Sequence, residues 1–289
     1  LDFTPCIKIR DFIQMIYLII ASIEGREKQL KTLVASIKNS FDYNKYEIII
    51  VRQYKIDLFK ISDKNLTIIN TKTFGASYAR NIGLDHIKDM IVESDWVCFP
   101  DDDCFFDKNT LRRLPDFANY DLVFGDVRDP NDKFRMGLPV KNKVSSLSSV
   151  FPVINCPSFF VKASRLKTIR FNEQYGPGAS IPAVEETEFL YRLSKAYKII
   201  CIYSPSIKIF HPYEVMSNNQ AYWYAYSQGF LLKKLFRNGD YKSAITYAKP
   251  LCRPFVAFIV KFIFVFPEVK FYKIRCKGII DGFFRGLRY

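Results

Sequence analysis

The chain has 289 residues, 49% of them hydrophobic and 16% aromatic, which is enough for one large packed domain or a domain with an appendage and excludes a disordered protein. Its net charge of +14 is uneven: residues 230–289 hold thirteen Lys or Arg against three acids, a net +10, which leaves +4 on the other 229. A nearly neutral body with a basic tail argues against a nucleic-acid binder and for a tail that meets an anionic surface.

The first apolar run, MIYLIIAS from Met15 to Ser22, reads as a buried strand. REKQLKTLVASIKNS follows, with Leu30, Leu33, Val34 and Ile37 at helical spacing. YEIIIV (Tyr46–Val51) and LTIIN (Leu66–Asn70) give two more strands, and GASYARNIGLDHI reads as a helix opened by glycine. DWVCFP is a fourth strand, KNTLRRLPDF a short helix and DLVFGDV another strand. The alternation predicts a parallel sheet with helices on both faces. Between Asp129 and Pro157 the composition predicts mostly loop, with a helix near Lys141–Val150. The strand SFFVK comes next, then the Gly/Pro loop YGPGASIPAV (Tyr175–Val184), read as mobile, and the helix EETEFLYRLSKA. YKIICIYSP and IKIFHP close the domain as two strands, and from Ser217 onward the pattern is helical and basic.

Seven cysteines, an odd count without a CxxC pair, lie largely in apolar runs and read as buried thiols of a reducing cytosol. No secretory leader is evident from Leu1 onward.

The chemistry-bearing stretches are acidic. Asp101, Asp102 and Asp103 follow a strand, at the sheet edge where open α/β folds bind ligands. Clustered oxygens suit Mg²⁺ or Mn²⁺, and the cation offsets the repulsion among the carboxylates. On a bent segment Asp101 and Asp103 point one way and Asp102 another. The plainer alternative is a cap for the next helix, a job Asp107 can do alone. The second cluster, Glu185–Glu188, either steadies its helix N-terminus or supplies a carboxylate that accepts a proton from an incoming hydroxyl. FGASYARNIGL is either a simple amphipathic helix or a start whose free N–H groups, with Arg80, face a diphosphate. His211, one of two histidines, is structural unless the sheet brings it beside Asp103.

In this order, the opening YLIIASIEGREKQLKTLVASI, GASYARNIGL, FPDDDCFF, YGPGASIPAVEETEFLYRL and IFHP resemble the family 2 glycosyltransferases of the GT-A fold, over about Met15–Pro212. YWYAYSQGFLLKK resembles members that build bacterial surface polysaccharide. The resemblance implies an α/β, Rossmann-like GT-A domain over residues 1–215 and a helical, basic extension over 216–289. It implies a metal-dependent, inverting transferase with a nucleotide-diphosphate sugar donor and a glycan or lipid-linked acceptor. Asp103, Asp101 and His211 would meet Mn²⁺ or Mg²⁺, and Glu186, with Glu185 beside it, would be the base. Ser22, Glu24, Gln53, Gly75, Arg80, Asp101 and Asp102 would line the nucleotide and diphosphate. Two departures stand out. The second strand ends in Arg52-Gln53 where the family has an acid, and the E-D pair is Glu-Glu.

Pro254–Pro267 is strongly apolar but shorter than the roughly 20 residues of a spanning helix. Pro brackets the run and Lys261 interrupts it; with Lys249, Arg253, Lys270, Lys273, Arg275 and Lys277 around it, it fits peripheral attachment to the anionic inner face of a cell membrane, or else packing on the catalytic domain. A nucleotidyltransferase and an inactive scaffold of the same fold are the competing classes.

Overall fold

The computed structural model describes residues 14–40, 45–53, 64–136, 143–212, 215–264 and 266–284. Cys6, Lys141 and the last five residues lie outside it.

The N-terminal half follows from period-2 alternation of apolar side chains. In β1 (Ile16–Ile23), Tyr17 and Ile19 enter the core on one face, whereas Ile16, Leu18 and Ile20 enter the core on the other. β2 (Tyr46–Gln53) repeats this with Ile49 and Val51 against Ile48 and Ile50. Helix α1 (Glu27–Asn39) covers the second face with Leu30, Leu33, Val34 and Ile37, and α2 (Ala76–Ile87) covers the first with Ala79, Leu84 and Ile87. Burying four such aliphatic side chains from one helix contributes on the order of 6–12 kcal/mol before chain entropy is counted.

β3 (Leu66–Asn70), β2, β1 and β4 (Trp96–Cys98) pair in parallel. Beyond β4 the all-parallel expectation fails. β9 (Phe159–Lys162) runs antiparallel between β4 and β6 (Leu122–Arg128), and β10 (Ile200–Phe210) then runs parallel to β6. Three short strands finish the sheet antiparallel: β5 (Phe105–Phe106) on β10, β7 (Phe134–Met136) on β6 and β8 (Lys143–Ser146) on β10. The result is a ten-stranded, mostly parallel sheet among the described residues.

Three local expectations change. The two closing strands are the single strand β10, whose register shifts between Tyr203 and Lys208. Pro205 there carries no N–H for the ladder, so the sequence looks interrupted although the strand continues. The helix expected over Lys141–Val150 is only the single turn α3 (Leu147–Val150), because Lys143–Ser146 serves as an edge strand. The short helix after Asp107 is a 3₁₀ segment, Leu111–Phe117, with Pro115 inside it.

Helix α4 (Glu185–Ala196) lies on the first core face and buries Phe189, Leu190 and Leu193. The C-terminal helices α5 (Asn218–Arg237), α6 (Tyr241–Ile263) and α7 (Val269–Phe284) join the same core through Ala225, Leu231, Leu235, Ala244, Tyr247, Leu251 and Ile279. α5 and α7 touch backbone to backbone: a Cβ on Gly229 would lie 2.0 Å from Ile279 O, and one on Gly282 the same distance from Tyr226 O. Helix α6 runs through Pro250 and Pro254, so Pro254 is interior to the helix and does not bracket the apolar run. Cys98, Cys104, Cys156, Cys201 and Cys276 are buried free thiols, but Cys252 on α6 is exposed.

Candidate active site

The carboxyl ends of β1 and β4 meet: Ala21 and Asp101 form an isolated parallel bridge just beyond the ladder. This sets the turn Asp101–Asp103 beside Ser22 and below His211, whose backbone N–H donates to Arg128 O at 2.8 Å. Each carboxylate of the trio finds its own compensation. Arg80 Nη2 donates to Asp101 Oδ1 at 2.9 Å. Ser22 Oγ donates to Asp102 Oδ2 at 2.8 Å, and the Ile23 N–H adds a longer contact of 3.4 Å. Arg26 Nη1 donates to Asp103 Oδ2 at 3.2 Å. His211 Nε2 stands 3.2 Å from Asp103 Oδ1 and 3.9 Å from Asp101 Oδ2. Asp101 and Asp103 thus share one imidazole while Asp102 turns to β1.

The electrostatics follow from burial set against these partners. Burial pushes the Asp101 carboxyl up against the pull of Arg80. Burial likewise lifts Asp102 to about 6, opposed by the Ser22 hydroxyl. For Asp103, burial is outweighed by the hydrogen bond and charge of His211, and the group sits below its ordinary value. Burial disfavours charge on His211, yet Asp103 and Asp101 together raise it to about 9. Its Nδ1 faces Pro212 O at 2.8 Å, which leaves Nε2 for the carboxylates.

Arg80 connects the two acidic clusters. It is buried, lies over the Phe171 ring at 5.4 Å and donates Nη1 to Glu185 Oε1 at 3.0 Å while holding Asp101. Glu185 is therefore buried and bound. Glu186, next along the first turn of α4, keeps part of its surface exposed. Burial and the Glu185 charge hold its carboxyl well above the carboxylate range. The helix begins after Val184, which is left-handed with φ 65°. Gly176, at φ 104°, is required here because a Cβ would stand 3.1 Å from Glu185 Cγ and Cδ.

The expectation of free N–H groups at the start of α2 is corrected at two positions. The Gly75 N–H donates to Gln53 Oε1 at 2.6 Å, and the Ala76 N–H to Pro177 O at 3.0 Å. The loop 175–184 lies across this helix end, pinned further by Ser77 Oγ donating to Tyr175 O at 2.6 Å. Gln53 thus holds the α2 start, and Glu24 stands exposed in the turn after β1.

Three features escaped sequence reasoning. Arg26, in the turn after β1, reaches Asp103; a cation so near Ser22 was the only hint. Glu188 on α4 is fully buried between Arg192 and Lys234 of α5, with Lys234 Nζ 2.9 Å from Glu188 Oε1. Tyr247 of α6 lies in the core beside Phe151, which also touches Tyr191 of α4.

Among the described residues no group of three or more His, Cys, Asp and Glu stands in metal-holding geometry. The pair Asp103 Oδ1 and His211 Nε2, 3.2 Å apart, nonetheless has the spacing of neighbouring ligands on an octahedral ion, about 3.0 Å for bonds near 2.1 Å. Two protein donors suit an ion that keeps water and phosphate in its other positions.

Comparison with known proteins bears on the fold and the family. No curated protein matches the chain in a sequence search. Crystal structures of Staphylococcus aureus TarS residues 1–349 share the fold: the free form has 15% identity and a TM-score of 0.55, with 93% of this chain and 89% of that one covered. Its UDP complex gives 16% and 0.56, and its UDP-GlcNAc complex 15% and 0.55, at the same coverage. The sequence profile described as Glycosyl transferase family 2 matches residues 18–199, the stretch from β1 through the end of α4, and the chain belongs to that family of glycosyltransferases.

Proposed function

We propose that this protein moves a sugar, with inversion, from a uridine diphosphate donor to a hydroxyl of a glycan or lipid-linked acceptor in bacterial surface polysaccharide synthesis. The observation that carries this reading is Arg80, which joins the carboxylates suited to a diphosphate and its ion to the pair suited to proton transfer. The TarS complexes with UDP and UDP-GlcNAc support the choice of donor class.

Roles divide by what each side chain has free. Glu185 is spent on Arg80, so Glu186 takes the acceptor's proton. As it does, the acceptor oxygen bonds to the anomeric carbon, the bond from that carbon to the phosphate oxygen breaks, and UDP departs with the electron pair. A raised carboxyl favours holding that proton. Asp103 and His211, with Asp101 behind them, would hold Mn²⁺ or Mg²⁺; when bound, the ion supplies positive charge to the leaving diphosphate. His211 must release its proton to serve as a ligand. Arg26, held beside Asp103, would fork onto phosphate oxygens. Ser22, Asp102 and Gln53 line the carboxyl ends of β1 and β2, where the nucleoside belongs in such sheets.

The region 216–289 would seat the enzyme peripherally on the cytoplasmic face of the membrane. No described helix is long and apolar enough to cross a bilayer. Helix α6 carries an outer stripe of Ile245, Val256, Ile259 and Ile263, opposite the buried stripe of Ala244, Tyr247 and Leu251. An apolar groove of about 460 Å³ beside Val256 and Val260 is edged by Lys249, Arg253 and Lys261. Apolar surface ringed by cations fits an anionic leaflet and disfavours a second, equally basic copy.

Calorimetry of UDP binding with and without Mn²⁺ tests the central reading. Metal should tighten UDP on the wild type, and Asp103→Ala should remove that gain while leaving the fold intact. Equal UDP affinity in all four titrations would refute it.

A further inference from the structure

The groove on α6 lies between two rows of side chains, each spaced four residues apart. Lys249, Arg253 and Ala257 form one row, and Cys252, Val256 and Val260 form the other. Phe266 closes one end, beside Lys261, whose carbonyl accepts the Phe266 N–H at 2.9 Å. Val256, Val260 and Phe266 are exposed, so the groove presents apolar surface to water along its length.

The cations beside it are not equivalent. Lys261 is already answered: its Nζ lies 3.2 Å from Glu268 Oε2 and 4.8 Å above the Phe266 ring. Lys249 and Arg253, one turn apart, have no ion pair or hydrogen bond among the described residues. Like charges at that spacing repel and weaken the helix. An anion set between them would turn the repulsion into two charge-assisted contacts. The groove is therefore apolar along its floor, with unanswered positive charge at one end only.

Resting on the peripheral seating proposed above, we infer that α6 holds one anionic phospholipid in a discrete site, with the phosphate between Lys249 and Arg253 and one acyl chain laid along Val256 and Val260 towards Phe266. From Lys249 to Lys261 the helix advances about 18 Å, which gives the chain room to lie lengthwise. A free phosphate would leave the apolar rows in water, and a second copy would bring a chain of net charge +14 against the two cations. A single bound lipid does what diffuse attraction cannot: it fixes the rotation of the enzyme on the membrane, and with it the direction its active site faces.

Cys252 reports on the site, because its thiol is exposed in the groove while the other described cysteines are buried. The probe is dioctanoylphosphatidylglycerol below its critical micelle concentration, so that no membrane is present. Alkylation of Cys252 in the full chain by iodoacetamide is followed by peptide mass spectrometry. The lipid should slow it about fivefold or more, whereas dioctanoylphosphatidylcholine and inorganic phosphate should not. Lys249→Ser combined with Arg253→Ser should raise the lipid concentration needed about tenfold or more, each cation being worth about fivefold. Val260→Gln, at an exposed position, should raise it about threefold, and all the variants should keep the wild-type UDP affinity. Absence of protection by phosphatidylglycerol, in a wild type that still binds anionic vesicles, overturns this inference alone. Loss of vesicle binding as well defeats the peripheral reading together with it. Equal protection by phosphatidylcholine or by phosphate overturns the pairing of charge with groove. A Cys252 that resists alkylation in the free protein overturns it too, since the groove would then be covered.

Discussion

The two acidic clusters meet the same difficulty, like charges crowded at a sheet edge, and solve it differently. The aspartate trio is neutralised group by group: Arg80, Ser22, Arg26 and His211 each answer a carboxylate. The glutamate pair has one cation between two acids, and Glu185 takes it. Its neighbour Glu186 is left without that partner and is pushed upward. On the proposed reading, charge pairing suits a surface for ions and phosphates, whereas a shortfall of pairing suits a base.

The comparison breaks most sharply at Glu186. Glu186→Gln should cut turnover by about 10²–10⁴ while UDP affinity holds. Its stability effect has a definite sign. A carboxyl whose folded value lies above its unfolded one keeps its proton in the native state, so stability declines as pH rises past the unfolded value. The amide removes that decline, and Glu186→Gln should melt higher than wild type near neutrality. In the wild type, kcat should climb with pH along a limb above the usual carboxylate range, and the variant should lack the limb. A variant that is equally active, or that melts lower, would erase the distinction between the clusters.

Arg80 is the shared element, and its loss merges the two cases. Arg80→Met leaves Glu185 and Asp101 without their common cation, a destabilisation of about 3 kcal/mol in urea unfolding. Arg80→Lys should recover only part, since one ammonium cannot fork to both carboxylates in the same geometry. The smallest effect falls outside both clusters. Replacing Ile259 and Ile263 by Glu should weaken binding to anionic phospholipid vesicles about tenfold or more and leave UDP binding unaltered. Undiminished vesicle binding would remove α6 from the membrane contact.

Much of the fold was legible where local pattern and final environment agree. α4 begins and ends where its sequence suggested, and β3 matches LTIIN residue for residue, because turn signals bound both. The middle was harder. Lys143–Ser146 has too few apolar residues to announce a strand and gains its identity from the β10 edge. The antiparallel direction of β9 is set by a connection whose geometry no periodicity records. At the site, residue types marked the two acidic clusters, but the side chains that organise them come from far along the chain. Arg80 meets Glu185 across 105 positions, and Tyr247 reaches the core from a helix whose sequence suggested either membrane contact or packing on the catalytic domain.

Among the described residues, Val184 is the one β-branched side chain in the left-handed region. A β-branched side chain in the left-handed region stores roughly 1–3 kcal/mol. Its own burial, with that of Ile181 and Ala183, is what keeps it there. The spring is thus wound by the core itself, and unwinding it would pull apolar surface into water. Glu185 and Glu186 follow directly upon it, so on the proposed reading their aim is fixed before any substrate arrives, and little orienting work is left for the moment of reaction.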